Sequence, residues 1–298
     1  MRHIVVVGSL NMDLVTQAER FAAPGETILG QQFKTFMGGK GANQAVASAR
    51  LGARVSLIGA VGDDAFGHEL IQGLRTEGVD TDAVSMLSQH HTGIASITVA
   101  AADNHIIVVP GANHALTPAH IEAQRVLIHS ADAVLCQLEI PLATVQRTAE
   151  LCHEAQVPFV LNPAPAQSLP DALWPLIDYL TPNEHELALM SPAPKDADLV
   201  TQLASLSCTV IMTHGQDGAY YLTAGSSLQH QPSFKVKAID STGAGDTFNA
   251  ALAVYLDQGL PQAVHKACAA GALAVTQLGA QAGMPSADAL TEFIHTSR

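Results

Sequence analysis

Short runs of valine, isoleucine and leucine recur along this chain, separated by longer stretches in which apolar residues return every three or four positions. The runs at 4–9, 55–60, 133–137, 159–162, 179–181 and 209–213 are mostly apolar, as expected of strands covered on both faces. Helical spacing is expected over 42–51, 66–77, 118–129, 142–154 and 244–255, with a last long helix from Pro261 to about Thr276. This alternation predicts an α/β fold: a doubly wound, mostly parallel sheet covered by helices on both faces. Two stretches break the rhythm. Residues 13–36 and 92–109 read as extended, alternating segments interrupted by Pro24-Gly25 and Asp103-Asn104. In a doubly wound protein such extra strands could pair with each other as a small sheet beside the active site. No internal repeat or linker divides the chain, so 1–298 is read as a single domain.

Composition narrows this picture modestly. With 298 residues, 48% of them hydrophobic, the chain can bury a sizeable core. A formal net charge of −13 with only 14 Lys plus Arg argues against a nucleic-acid or acidic-membrane partner. Any anionic ligand must therefore be held by local fields. Cys136, Cys152, Cys208 and Cys268 show neither paired CxxC spacing nor a secretory context, so reduced thiols in the cytoplasm are expected. No apolar run approaches the roughly 20 residues needed to span a bilayer. The histidines include no HExxH pattern, and His90, His91 and His105 fall in the second extended stretch or its approach; a transition-metal site is not expected.

The chemistry concentrates in two glycine-rich turns. Asp240-Ser-Thr-Gly-Ala-Gly-Asp246 opens an apolar helix. The N–H groups of Thr242, Gly243, Ala244 and Gly245, at the positive end of that helix, suit a phosphate gathering negative charge. Asp246, within the first turn, can accept a proton from a hydroxyl attacking that phosphate, which is the layout phosphoryl transfer asks for. Alone, the run could equally be a helix start with Asp246 as an N-terminal charge. Gly38-Gly-Lys-Gly-Ala-Asn-Gln-Ala-Val46 adds a second turn, with a flexible cation, Lys40, and a neutral amide, Asn43, suited to neighbouring hydroxyls. It is not a P-loop, which needs Gly-Lys followed by Ser or Thr, whereas Gly41 follows Lys40.

These two segments resemble the signature regions of the ribokinase family of carbohydrate kinases, and the likeness covers nearly the whole chain. Gly8-Ser-Leu-Asn-Met-Asp13, Pro24-Gly-Glu-Thr27, Gly62-Asp-Asp64, Gly111-Ala-Asn113, Gln137-Leu-Glu139, Leu161-Asn-Pro-Ala-Pro-Ala166, Thr181-Pro-Asn-Glu184 and Thr213-His-Gly215 follow in the family's order. The resemblance implies a ribokinase-like fold and ATP-dependent phosphorylation of a sugar's primary hydroxyl, D-ribose giving ribose 5-phosphate. It also implies that the small sheet of residues 13–36 and 92–109 is a lid that covers the sugar and forms a homodimer contact. A related kinase for deoxyribose, a nucleoside or a hexose, and a catalytically silent sugar-binding protein on the same fold, remain open.

Carried over residue by residue, the resemblance implies Asp246 as catalytic base and Asn11, Asp13, Gly38, Gly39, Lys40, Asn43 and Glu139 around the sugar. Asn183 and Glu186 match an Asn-x-x-Glu element that organises water and Mg²⁺ about the phosphates, although the segment could also be a plain helix start after Pro182. Thr213, Gly215 and Gly218 would turn over the nucleotide. Cys268 falls where relatives often carry Asn or His near the adenine, which leaves those contacts open. A K⁺ ion is implied beside the Gly243-Ala-Gly-Asp246 turn, held by Asp240, Thr242, Ala274, Gln277, Gly279 and Gly283. Asp240 could instead only cap its own turn.

Overall fold

The first strand, β1 (His3–Val7), is buried along its whole length, and its side chains divide between two cores: Ile4 and Val6 in one, Val5 and Val7 in the other. That division follows from the two-residue period of a strand covered on both faces. A computed structural model describes residues 1–101, 103–194, 196–223 and 227–297. Its strands continue with β2 (Asn11–Gln17), β3 (Gln32–Gly38), β4 (Arg54–Gly62), β5 (Val79–Asp80), β6 (Val84–Leu87), β7 (Gly93–Ala100) and β8 (Asp103–Val109). Then come β9 (Ala133–Gln137), β10 (Phe159–Asn162), β11 (Tyr179–Leu180), β12 (Thr209–Thr213), β13 (Ala219–Leu222) and β14 (Gln229–Gln231). The helices are α1 (Lys40–Arg50), α2 (Ala65–Thr76), α3 (Pro118–Ala123), α4 (Arg125–His129), α5 (Leu142–Ala155), α6 (Glu184–Met190), α7 (Leu199–Ala204), α8 (Ala244–Tyr255), α9 (Leu260–Ala274) and α10 (Ala287–Thr296).

The large sheet runs β14-β13-β12-β11-β10-β9-β1-β4-β5, with β6 also on β4; all neighbours are parallel except β12 with β13 and β13 with β14. Helices α1, α2, α8 and α9 bury their apolar residues against one face, and α3, α4 and α5 against the other. The alanine-rich end of α9 packs as a helix face, with Ala269, Ala270, Ala272 and Ala274 all buried. Among the described residues no helix is long and apolar enough to cross a membrane. The chain leaves β1 toward β4 on one side and returns at β9 on the other. The crevice at the carboxyl ends of β1 and β9 is thus the switch point where open α/β sheets bind ligands.

The two irregular stretches form one separate sheet, ordered β3-β2-β7-β8. Asn11 pairs with both Gly38 and Gly93, and Ile94 with Val109, so the roots of all four strands align beside β1. The Asp64 carboxylate accepts from the Thr92 N–H at 2.8 Å and the Thr92 hydroxyl at 2.6 Å, tying the start of β7 to the helical layer. The segment 18–31 is loop rather than strand, and residue 102 of the second stretch lies outside the described residues. The expected helix 118–129 is two short helices, because Gln124 leaves helical geometry (φ −102°, ψ 16°). Helix α10, absent from the sequence reading, begins at Ser286, whose hydroxyl oxygen accepts from the Ala289 N–H at 3.2 Å.

Candidate active site

Helix α1 begins against the end of β1. At Gly39 φ is +90°, and a Cβ there would lie 2.7 Å from the Asn11 nitrogen and 2.8 Å from the Ser9 carbonyl oxygen, so only glycine fits. At Gly38 a Cβ would fall 2.4 Å from Asp13 Oδ2; its bare backbone makes room for that carboxylate. Burial, and then the charge of Glu139, push Asp13 up to about 6. Glu139 Oε2 accepts from the Ser9 hydroxyl and, at 3.2 Å, from the Lys40 N–H, which seats it in the crevice between β1 and β9. Asn113 Nδ2 donates to Asn11 Oδ1 at 2.8 Å, and Asn113 bonds both backbone groups of Leu10. With its carbonyl end taken, Asn11 keeps its N–H₂ end for another partner.

Asp246 is buried in the first turn of α8, and both its oxygens accept from α1: Oδ2 from Asn43 Nδ2 at 3.0 Å and Oδ1 from Gln44 Nε2 at 3.1 Å. Burial pushes its carboxyl above the usual range; Lys40 and the two amides oppose that rise, and Glu139 adds to it. Burial alone would lower Lys40, but Asp246, Glu139 and Glu186 outweigh it and keep the ammonium charged. The cluster is therefore a partly buried cation among carboxylates.

A cavity of about 220 Å³ opens over this helix end, lined in part by Lys40, Gly243, Gly245, Asp246, Asn183 and Glu186. Of the four N–H groups expected to face a phosphate, that of Thr242 donates to Asp240 Oδ1 at 2.9 Å and that of Ala244 to the Ser241 carbonyl at 3.2 Å. Gly245 lies in the first helical turn, where N–H groups have no carbonyl four residues back, and with Gly243 it borders the cavity. The cradle is thus narrower than the sequence suggests.

On the far wall, Asn183 and Glu186 form a capping box at the start of α6: Asn183 Oδ1 accepts from the Glu186 N–H at 2.9 Å, and Glu186 Oε2 from the Asn183 N–H at 2.8 Å. The Thr213 N–H donates to the Pro182 carbonyl at 2.9 Å, bringing the end of β12, and Thr213 itself, to the cavity. Gly215 and Gly218 shape the turn after it, both with positive φ. Cys268 is in the α8–α9 core, its Sγ donating to the Gln231 carbonyl at 3.9 Å, and burial pushes its thiol up to about 12.

The loop after α9 closes against the Asp240 turn. Asp240 Oδ2 accepts from the Gly279 N–H at 2.8 Å, and Oδ1 also from the Thr242 hydroxyl at 2.7 Å. Burial raises the Asp240 carboxyl, but these bonds outweigh it and hold it below the usual range. Gly283 packs onto Ala274, whose carbonyl oxygen would be 2.0 Å from an added Cβ, while Gln277 is exposed.

Several site groups escaped the sequence reading: Ser9, Gln44, Asn113, Gln137, Asn162, Asn249 and Gln281. Most stand inside or beside quoted motifs, yet a buried amide carries no periodic signal, and only its partners reveal its use.

A buried acid at a helix N terminus, a charged lysine across from it and a small sheet rooted in the same crevice define a phosphotransferase for a small hydroxylated substrate. Residues 1–287 match the pfkB family carbohydrate kinases, and the chain belongs to that family. It is 43% identical to the ribokinase of Bacillus subtilis, over 99% of this chain and all of that one. Among solved structures it is similar to the ribokinase of Thermotoga maritima (34% identity, TM-score 0.90, 99% of this chain and 100% of that one). It is similar as well to the Arabidopsis thaliana ribokinase complexed with ribose and ATP (31% identity, TM-score 0.92, 98% of each).

Proposed function

We propose that this carbohydrate kinase transfers the γ-phosphoryl group of ATP to the primary hydroxyl of D-ribose, giving ribose 5-phosphate and ADP. The observation that carries the reading is the placement of Asp246, with both oxygens oriented by α1 and Lys40 beside it, between the cavity at the α8 N terminus and the polar crevice of Asn11, Asp13 and Glu139. Asp246 takes the hydroxyl proton as the sugar oxygen attacks the γ-phosphorus, and the bond to the ADP oxygen breaks. Its upward-shifted carboxyl is the better base for that transfer. Asn11, Asp13, Lys40, Asn43 and Glu139, with the backbone of Gly38 and Gly39, hold the sugar's other hydroxyls. The N–H groups of Gly243 and Gly245, which border the cavity, receive the transferring group.

Among the described residues no cluster of three or more His, Cys, Asp or Glu side chains forms a metal cage. That suits Mg²⁺, which keeps several waters and binds mainly through nucleotide phosphates. Glu186 and Asn183 would anchor its water shell, and the ion would neutralise phosphate charge. The contact between Asp240 and the 274–283 loop is consistent with a K⁺ site built largely of main-chain oxygens. Exposed Phe33, Phe36, Ile106, Ile107, Val108 and Val109 on the small sheet support a homodimer through the lid, and four free thiols suit the cytoplasm.

ADP release measured over ribose, 2-deoxyribose, a nucleoside and a hexose tests the reading. Ribose should give the highest kcat/KM, because buried groups left unpaired by a missing hydroxyl penalise the analogue, and Asp246→Asn should lower kcat by about 10²–10⁴-fold. Equal or better use of deoxyribose would reassign the substrate. Turnover retained in Asp246→Asn would remove the base.

A further inference from the structure

Nothing in α1 itself explains why two adjacent carboxamides both turn their N–H ends to Asp246. A carboxamide has a donating and an accepting end of nearly equal shape, and a carboxylate can only accept. Each amide is held by a second glutamine. Gln137 Nε2, at the end of β9, donates to Gln44 Oε1 at 2.7 Å, and Gln281 Nε2, on the loop after α9, donates to Asn43 Oδ1 at 3.1 Å. Gln44 Nε2 also lies 3.3 Å from Asn162 Oδ1, another acceptor. The outer glutamines are themselves fixed. Gln137 is fully buried, which confines its side chain, although its Oε1 has no hydrogen-bond partner among the described residues. The Arg50 guanidinium donates to the carbonyls of Gln281 and Met284, while pairing at 2.8 Å with both oxygens of Glu77, and so clamps the loop that carries Gln281.

We propose that Gln137 and Gln281 are positioning residues: each donates to the carbonyl of one α1 carboxamide and so turns that carboxamide's N–H end toward Asp246. The inference rests on Asp246 being the base of the proposed reaction. Neither glutamine lines the cavity over α8; each acts through the residue between. With a relay broken, its inner amide is free to rotate, and one donor to the ionised carboxylate is lost. The other charges facing Asp246 stay in place: Lys40 at the start of α1, Glu139 past β9 and, around Lys40, Glu186 of α6.

The experiment compares wild type with Gln137→Met, which keeps length and removes the donor. Gln281→Met, at a half-exposed loop position, serves where the buried substitution prevents folding. The Asp246 carboxyl is titrated by carbon NMR without substrate, its signal assigned by its loss in Asp246→Asn, and kinetics are run over pH. The expected result is an Asp246 titration, and an acid limb of kcat/KM, displaced to higher pH. Sugar KM should stay within about twofold and kcat fall about tenfold, the scale of one hydrogen bond to a charged group. An unmoved titration and acid limb, whatever happens to the melting temperature, would overturn the proposal. Because the NMR titration needs no turnover, it decides the positioning role even if ribose proves not to be the substrate.

Discussion

Asp13 shows what a polar pocket costs at a single residue. A carboxyl ordinarily titrates near 4, but burial and then Glu139 push this one up to about 6. Below the unfolded value the acid is protonated in both states, and its contribution to stability is complete. As pH rises toward 6 the unfolded chain releases the proton first, so that contribution is lost, and above 6 the loss is constant. Asp13→Asn cannot ionise. In urea unfolding without ligand, its stability relative to wild type should grow between pH 4 and 6 and level off, by at most about 3 kcal/mol, while sugar phosphorylation weakens. A difference independent of pH would contradict this account. Asp246, Lys40 and Asn43 were legible in the sequence because each sits inside one contiguous glycine turn. Gln44, Gln137, Gln281 and Asn113 were not, since their roles depend on which end of an amide faces a partner from a distant segment.

At the level of elements, the small sheet is the part least covered by its own chain. All seven residues of β8 are exposed, and β3 and β8 are its edges. An apolar edge of this kind invites pairing or coverage by another surface. Adjacent residues of a strand point to opposite faces, so the double substitution Ile106→Glu with Ile107→Glu charges both. Sedimentation velocity should find wild type dimeric and the double variant monomeric, with a higher sugar KM because the lid loses its support. A monomeric wild type would refute the lid dimer. The sequence showed these strands by their alternation, but not that their roots converge on Asn11, because register between segments some 80 residues apart is a tertiary fact.

Across the whole molecule, a net charge of −13 opposes an anionic nucleotide, so local fields must win: Lys40 and the α8 N terminus, to which any bound cation would add. Asp240 already caps its turn and fastens the loop after α9, placing any cation effect directly behind the phosphate cradle. Activity should rise when K⁺ replaces a bulky organic cation at constant ionic strength, and Asp240→Ala should erase the difference; indifference of wild type to K⁺ would rule the site out. The sequence by itself determined the layers, since buried parallel strands must be apolar throughout and covering helices must repeat at 3.6 residues. It also determined the acid, the lysine and the glycine turns, because their chemistry is local to one segment. Tertiary structure alone decided that β9 returns beside β1, and that two of the cradle's N–H groups are used within the turn. It also decided that Asp246 is oriented by amides from α1, themselves held from β9 and the loop after α9, because these contacts are made across the fold, where no sequence spacing records them.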